Sequence, residues 1–334
     1  MERYTLLPDS GAWYKANLHC HSVLSDGKLT VEELKELYIQ RGYSVIAFTD
    51  HDHYEHHGDL TDDHFLALAA YEAEIDAPRI CPGFYRVKTY HLNFYDTDPN
   101  SNVEAKKVTR LPEQRYGDMD YINGFIREMN QLGFLACYNH PYWSLQTYED
   151  YKDLEGLWAM EIYNHGCEHD GLYGYNPQSY NEMLQQGKRL FCLATDDNHN
   201  VYPPDHPLCD SFGGYTMIQA EALSYPAVMA ALKAGNFYST MGPEIRSLYI
   251  EDDTLHIETS PVEKIFVHML GRNCYKELAP AGQTIEKAAF PLTGKETFIW
   301  VECRDREGKF ANSNVYAVGE DKKCHSHSCS LHSR

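Results

Sequence analysis

Long apolar runs are missing from this chain of 334 residues. No apolar stretch approaches the roughly 18 residues that a membrane-spanning helix needs, and residues 1–15 lack the apolar core of a secretory signal. Positively charged residues are also outnumbered by negatively charged ones, and the formal net charge is −20. That balance argues against the broad basic surface on which non-specific nucleic-acid binding depends. We therefore expect a cytoplasmic protein with neither a membrane partner nor an extended nucleic-acid partner.

Two sequence motifs of known chemistry are also absent. No Cys-x-x-Cys pair occurs among the ten cysteines, which excludes zinc-ribbon and thioredoxin-like sites. We expect most of the cysteines to be reduced and to serve as small apolar side chains. No Gly-x-Ser-x-Gly motif occurs, so the nucleophile elbow of the α/β hydrolases is excluded too. What remains is a globular composition, with 43% hydrophobic and 23% charged residues.

From Trp13 to about Gly235, short apolar runs alternate with helical segments. The predicted buried strands are 45–49, 65–70, 134–138, 157–163 and 190–195, and the predicted helices follow the Thr30–Glu33 capping box and span 119–132 and 178–187. A succession of strand, helix and strand predicts a parallel sheet, and this number of units favours a barrel over a short open sheet.

The pattern changes near Gly242 and Pro243. Short alternating runs then follow one another, separated by turn-forming residues, which predicts a small antiparallel β-sandwich-like domain. We accordingly predict an α/β barrel domain over residues 1–243 and a β-rich domain over 244–320. Residues 321–334 lack the apolar content to fold by themselves, so we expect a disordered tail there.

Histidine and acidic side chains stand at or just beyond the ends of the apolar runs. They begin with two histidines in NLHCH, which share one face of an extended chain, and with the aspartate of the following SDG turn. The full set is His19, His21, Asp26, His51, Glu72, His91, His140, Asp197 and His199. Because the C-terminal strand ends of a parallel barrel converge on one mouth, we expect these nine side chains to meet there.

Three carboxylates packed within a few ångströms repel one another by several kcal/mol on a Coulomb estimate unless cations neutralise them. Nine ligands are too many for one ion of coordination number four to six, so the set predicts two or three divalent metal ions. Nitrogen and oxygen donors without thiolate suit manganese, iron or zinc.

The order of these motifs resembles that of the PHP (polymerase and histidinol phosphatase) family of metal-dependent phosphoesterases. His-x-His followed by SDG, TDH, a strand-end Glu, HLN, NHP and DDNH match that family's motifs over about residues 13–240. The segments MEIYNHGCE, GKRLFCLATDDNHN and ALKAGNFYSTMGPEI are similar to the branch that contains carbaryl-hydrolase-like metallohydrolases. The resemblance implies a distorted (β/α)7 barrel with a trinuclear metal centre.

The resemblance also implies how the ligands are shared. One ion would be held by His19, His21, Glu72 and Asp197; Glu72 would bridge to a second ion on His91 and His140; and Asp26, His51 and His199 would hold a third. Glu74 faces the same way as Glu72 and is an alternative ligand. Glu72 is preferred because FLALAAYE aligns with the family's strand-then-Tyr-Glu pattern, although Ala69-Ala70 stand where the family usually has Pro-Gly.

The activity that the resemblance implies is hydrolysis of a small anionic phosphate ester, such as a nucleotide or nucleoside bisphosphate, by a metal-bridging hydroxide. Catalysis is expected to involve His140, Asp197 and His199. A carbamate or carboxylic ester hydrolase with the same metal centre and a non-catalytic, metal-stabilised binding module are the alternatives. Four basic side chains are candidates for binding a second phosphate group: Arg79, Lys88, Arg110 and Arg115. An equally acceptable interpretation is that they are solvated surface charges.

Overall fold

The computed structural model describes residues 3–78 and 88–318. The strands are β1 (Arg3–Thr5), β2 (Ala12–Asn17), β3 (Val45–Phe48), β4 (Leu66–Asp76), β5 (Thr89–Asp96), β6 (Phe134–Tyr138), β7 (Ala159–Asn164), β8 (Phe191–Thr195), β9 (Tyr215–Ala220), β10 (Phe237–Thr240), β11 (Ile245–Glu251), β12 (Thr254–Val262), β13 (Lys264–Met269), β14 (Cys274–Leu278), β15 (Ile285–Pro291), β16 (Phe298–Arg304), β17 (Phe310–Ser313) and β18 (Tyr316–Ala317). The helices are α1 (Val31–Ile39), α2 (Val103–Lys106), α3 (Met119–Gln131), α4 (Tyr148–Tyr151), α5 (His165–His169), α6 (Pro177–Gln185) and α7 (Tyr225–Ala234). None of the described helices combines the length and the apolar character needed to cross a membrane.

The chain divides into two compact units, which we name the α/β unit and the β-rich unit. The α/β unit is Ser10–Gly242, and the β-rich unit contains residues 3–9 and 243–318 of the described chain. Residues 3–9 belong to the second unit because β1 pairs antiparallel with β11. The sequence alone predicts these residues to be part of the first domain, residues 1–243. The predicted tail, residues 321–334, lies outside the described residues.

The α/β unit is built on a mixed sheet. Its strand order is β10-β9-β2-β3-β4-β5-β6-β7-β8. The pairs β2-β3, β3-β4, β6-β7 and β7-β8 are parallel, whereas β4-β5, β5-β6, β2-β9 and β9-β10 are antiparallel. The α/β class predicted from the sequence is confirmed. The expected distorted (β/α)7 barrel is not found, because the strands of the described residues form a mixed sheet that does not close into a barrel. A (β/α) barrel needs each strand parallel to both neighbours, and β5 is antiparallel to both of its neighbours.

Local sequence signals determine several of these elements. Thr30 caps α1: its hydroxyl accepts a hydrogen bond from the Glu33 amide at 3.3 Å, and the Glu33 carboxylate accepts one from the Thr30 amide at 2.8 Å. This is the capping box expected from the sequence. β6 has the predicted bounds, α3 ends one residue before the predicted 132, and α6 begins one residue before and ends two residues before the predicted span 178–187.

β3 is buried on both faces, which explains its continuous apolar sequence VIAF. Val45 and Ala47 belong to the core that includes α7, and Ile46 and Phe48 belong to the core that includes α1. The strand is therefore packed on both faces along its whole length, and Thr49, Asp50 and His51 follow directly after its end.

The β-rich unit contains two antiparallel sheets in the described residues. One has the order β1-β11-β12-β15, and the other has the order β14-β13-β16-β17, with β18 paired to β16. Burial alternates along β11, β12 and β13, as expected for strands with one face in a core.

Candidate metal centre

Polar side chains from several strands meet at one edge of the mixed sheet. Most of the predicted ligands follow the C-terminal end of a strand, as expected. His19 and His21 follow β2, His51 follows β3, His140 follows β6, and Asp197 and His199 follow β8. These positions share an edge because β2 and β3, and likewise β6, β7 and β8, run parallel within their groups.

His91 reaches the same edge by a different route. The sequence predicts it at the C-terminal end of a strand, but it lies near the start of β5. Because β5 is antiparallel to β4, the start of β5 lies beside the end of β4, where Glu74 is paired with His91 in the register. Glu72 lies two residues earlier in β4, on the same face of the strand.

The carboxylate of Glu72 lies at the centre of the cluster. Its Oε2 is 3.3 Å from Nε2 of His19, 3.4 Å from Nε2 of His21 and 3.2 Å from Nδ1 of His51. Glu72 is 1% exposed, and this buried oxygen has no hydrogen-bond partner in the structure. Glu74 reaches Nε2 of His91 at 3.6 Å and is more exposed than Glu72. The geometry therefore favours Glu72 over Glu74 as the shared ligand.

Asp197 is the second carboxylate of this group. Its Oδ1 lies 3.1 Å from Nε2 of His19 and 3.0 Å from Nε2 of His21, and its Oδ2 accepts a hydrogen bond from Nδ2 of Asn164 at 3.0 Å. Asp197 has a φ of +52°, a left-handed conformation that is uncommon for residues other than glycine. The surrounding contacts therefore hold Asp197 in a strained position.

His91 and His140 lie on the other oxygen of Glu72. Nδ1 of His91 is 3.0 Å from Oε1 of Glu72, and Nε2 of His140 is 3.6 Å from the same atom. Nδ2 of Asn139 donates to that oxygen at 2.7 Å. His140 also lies 3.7 Å from Oδ2 of Asp197, so it stands between the two carboxylates.

Asp26, His51 and His199 form the more exposed side of the cluster, next to His21. Nε2 of His199 is 3.3 Å from Oδ1 of Asp26, and Nδ1 of His21 is 3.8 Å from that oxygen. The rings of His51 and His199 stack on His21 with centroids 4.5 and 4.4 Å away. The structure thus brings all nine predicted side chains together.

Burial and the charges of neighbouring side chains shift the pKa values of several acids and histidines in the cluster. Burial alone raises the pKa of Glu72, but the imidazoles around it, His19 foremost, hold that pKa well below the ordinary value. Burial lowers the pKa of His51 to about 4. Burial also acts to lower the pKa of His199, but the carboxylate of Asp26 outweighs it and the pKa rises to about 9.

The donor set fits divalent metal ions. Ligand atoms about 2.1 Å from one ion, at angles between octahedral and tetrahedral, stand about 3.0–3.4 Å apart. The separations of His19 and His21 from Glu72 and Asp197 fall in this interval, and these four residues form one of the clusters that could hold an ion. The oxygen of Glu72 without a hydrogen-bond partner gains one ligand bond in such a site. Further clusters are His21-Asp26-His51-His199, His51-Glu72-His91 and His140-Cys167-Asp197.

Glu161 is a buried part of the site that the sequence analysis did not identify. Its Oε1 accepts from Nδ1 of His19 and from the hydroxyl of Thr195, both at 2.7 Å. Its Oε2 accepts from Nδ2 of Asn164 at 3.0 Å and from the amide of His140 at 3.2 Å. The feature of the sequence that could have identified Glu161 is its place as an acid in the middle of the apolar run LWAMEIY.

Asp50 and Asp196, which adjoin predicted ligands, orient loops. The carboxylate of Asp50 accepts from the amide and hydroxyl of Ser22, at 2.7 and 2.8 Å, and from the hydroxyl of Ser25 at 2.7 Å. It thereby fixes the turn that carries Asp26. The carboxylate of Asp196 accepts from three successive amides, those of Phe212, Gly213 and Gly214.

The cations considered for phosphate binding pair with carboxylates elsewhere. Lys88 contacts Asp150 at 2.6 Å, Arg110 lies 3.8 Å from Glu128, and Arg115 pairs with Asp118. Arg79 lies outside the described residues.

No family model matches the chain, and no curated protein matches it significantly. Among solved structures, it is similar to a two-domain protein from Bacteroides vulgatus containing a predicted PHP-like metal-dependent phosphoesterase, with 15% identity, a TM-score of 0.45 and coverage of 94% of this chain and 98% of that one. A candidate metal-dependent phosphoesterase from Bifidobacterium adolescentis has 14% identity and a TM-score of 0.39 over 59% of this chain and 92% of its own. An amidohydrolase from Chromobacterium violaceum, solved with sulfate and no metal, has 15% identity and a TM-score of 0.36 over 58% of this chain and 93% of its own.

Proposed function

We propose that this chain is a metal-dependent hydrolase of the PHP type that cleaves a small phosphate ester. The observation that carries the proposal is the convergence of His19, His21 and His51 on one buried oxygen of Glu72 that has no hydrogen-bond partner. Three imidazoles around such an oxygen form a poor hydrophobic core but a suitable ligand set. The ordered motifs of the sequence support the family. The carbaryl-hydrolase-like branch rests on the segments MEIYNHGCE, GKRLFCLATDDNHN and ALKAGNFYSTMGPEI alone.

Three ions are proposed, with the ligands shared as the resemblance implies. His19, His21, Glu72 and Asp197 hold the first, and Glu72 is shared with the second. The second is completed by His91 and His140, and the third is held by Asp26, His51 and His199. Manganese, iron and zinc suit these donors. When bound, such ions polarise phosphoryl oxygens and lower the pKa of water toward neutrality.

The protein's own residues then have distinct tasks. Asp197 is held by Asn164 and positions the imidazoles of His19 and His21. His140 stands between the two carboxylates and orients them. The side chain of His199 is 28% exposed and paired with Asp26. Together with Asp26 it forms the solvent-facing side of the site and would hold the third ion there.

The test is a hydrolysis panel on protein loaded separately with Mn²⁺, Fe²⁺ and Zn²⁺. The substrates are p-nitrophenyl phosphate, bis(p-nitrophenyl) phosphate and an aryl carbamate. We expect metal-dependent release of p-nitrophenol from at least one of the two phosphates. Asp197→Asn is expected to lower kcat/KM by more than about 100-fold, whereas Asp120→Asn, at an exposed position, leaves it unchanged.

The other outcomes separate the alternatives. Turnover of the carbamate alone would overturn the phosphoesterase assignment and favour a carbamate or carboxylic ester hydrolase. Absence of turnover on the whole panel, in protein shown by elemental analysis to be fully metallated, would favour a metal-stabilised binding module. Elemental analysis of protein purified without chelator identifies the metal.

A further inference from the structure

Trp143 lies against two of the proposed ligands. Its indole packs edge-on to the ring of His140, with centroids 5.1 Å apart at 83°, and to the ring of His91, at 5.8 Å and 63°. His91 and His140 are both buried, whereas Trp143 is only partly buried. The indole therefore reaches from the candidate metal centre to the solvent.

Several contacts hold this indole in place. Nε1 of Trp143 donates to Oδ2 of Asp170 at 2.8 Å. The turn that carries it is closed by the amide of Ser144, which donates to the carbonyl of His140 at 3.1 Å. The neighbouring amide of Tyr142 donates to Oδ1 of Asn176 at 3.0 Å. A fixed aromatic side chain loses little conformational entropy when a ligand packs on it.

Exposed apolar side chains occur in the loops that follow three of the ligand-bearing strands. They are Val23 and Leu24 after β2, Tyr142 and Leu145 after β6, and Val201 and Tyr202 after β8, each 40–59% exposed. Exposed apolar side chains grouped around a site mark a surface that binds an apolar ligand. The cations Lys88, Arg110 and Arg115 are paired with carboxylates, so they do not favour a second anionic group on the substrate.

We propose that Trp143 determines substrate specificity by packing against a planar aromatic group next to the ester bond. This inference rests on the proposed function and adds the substrate class: a phosphate ester of an aromatic alcohol, with no second phosphate. The phosphoryl group lies at the ligands, and the aromatic group packs on the solvent-facing side of the indole. Aromatic pairs of this kind contribute enough to change affinity by about two- to ten-fold beyond the burial of area.

The test compares the binding of two non-hydrolysable probes, phenylphosphonate and cyclohexylphosphonate, to metal-loaded protein. They are similar in size and differ in the planar aromatic ring. We expect the wild type to bind phenylphosphonate more tightly than cyclohexylphosphonate, and Trp143→Ala to lose about two- to ten-fold of that preference. Trp143→Phe is expected to keep most of it. Phenylphosphonate should quench tryptophan fluorescence in the wild type and not in Trp143→Phe, while Trp13→Phe serves as the control for the remaining indoles.

The outcomes distinguish this inference from the proposed function. If Trp143→Ala retains the preference for phenylphosphonate, or weakens both phosphonates equally, the specificity role is wrong while the phosphoesterase assignment stands. If the wild type holds its metals yet binds neither phosphonate and hydrolyses no phosphate, both are wrong. Elemental analysis of each variant shows whether the metal sites are intact.

Discussion

Nδ1 of His19 donates a hydrogen bond to Oε1 of Glu161 at 2.7 Å, with both side chains fully buried. Because one ring nitrogen is engaged by Glu161, the other, Nε2, faces Glu72 and Asp197. A carboxylate behind a ligating imidazole fixes its tautomer and raises its basicity. Glu161 is therefore a positioning residue for the candidate centre.

Glu161→Gln should weaken metal binding without removing a ligand. The amide keeps the shape of the side chain but presents a neutral acceptor or an N–H to His19, so we expect metal affinity to fall about 10- to 100-fold. Competition with a chromophoric chelator measures it. The exposed Glu128→Gln is the matched control and should bind as the wild type does. Equal affinity in Glu161→Gln and the wild type would contradict a positioning role.

The sequence was sufficient to find the candidate ligands, because each follows or interrupts an apolar run. His51, for example, follows a strand that is buried on both faces. Glu161 was not found because nothing in the sequence distinguishes a buried acid that orients a ligand from an acid at a strand edge. Its partners His19 and Thr195 are distant from it in the sequence and become adjacent to it only in the folded chain.

The strand directions were the part of the fold that the sequence did not determine. TYHLNFY has the apolar character of a buried strand, but that character does not state the direction in which the strand runs. The structure shows β5 antiparallel to both β4 and β6. His91 therefore reaches the site from near the beginning of its strand, and the sheet is mixed.

Glu72 and Glu74 are distinguished by a pair of matched variants. Glu72→Gln removes the charge on which three imidazoles converge, so we expect metal affinity to fall by more than the roughly 100-fold of residues that only orient ligands. Glu74→Gln, which alters the contact with His91, should have a smaller effect. Calorimetric titration with Mn²⁺ or Zn²⁺ measures both. A larger loss in Glu74→Gln would reverse the assignment.

Gly27 closes the turn that positions Asp26, and its lack of a side chain is required there. A Cβ at residue 27 would stand 2.5 Å from the carbonyl oxygen of His21, closer than real contacts allow. We expect Gly27→Ala to lower the free energy of unfolding by about 1–3 kcal/mol. Urea unfolding checks it, with Gly124→Ala as the control. Gly124 lies inside α3, and a Cβ there would meet the flexible Arg127 side chain at 3.9 Å, an ordinary contact, so alanine should be neutral or stabilising by up to about 1 kcal/mol.

His165 and His169, on α5, lie against each other. Their Nε2 atoms are 3.3 Å apart, and Nδ1 of His165 is 2.9 Å from the hydroxyl of Tyr163. The ring of His165 also fills the space beside Gly213, where a Cβ would stand 2.1 Å from it. Burial, assisted by the neighbouring His169, lowers the pKa of His165 to about 4.

This partly buried histidine should make stability depend on pH between about 6.5 and 4. Below pH 6.5 the unfolded chain takes up a proton at His165 that the folded chain does not accept until about pH 4. The stabilisation is therefore complete above pH 6.5 and is lost progressively as the pH falls, by up to about 3 kcal/mol. His165→Gln should flatten the pH profile of urea unfolding in this interval, whereas the exposed His64→Gln should leave the profile unchanged. A profile in His165→Gln as steep as that of the wild type would show that other groups cause the loss.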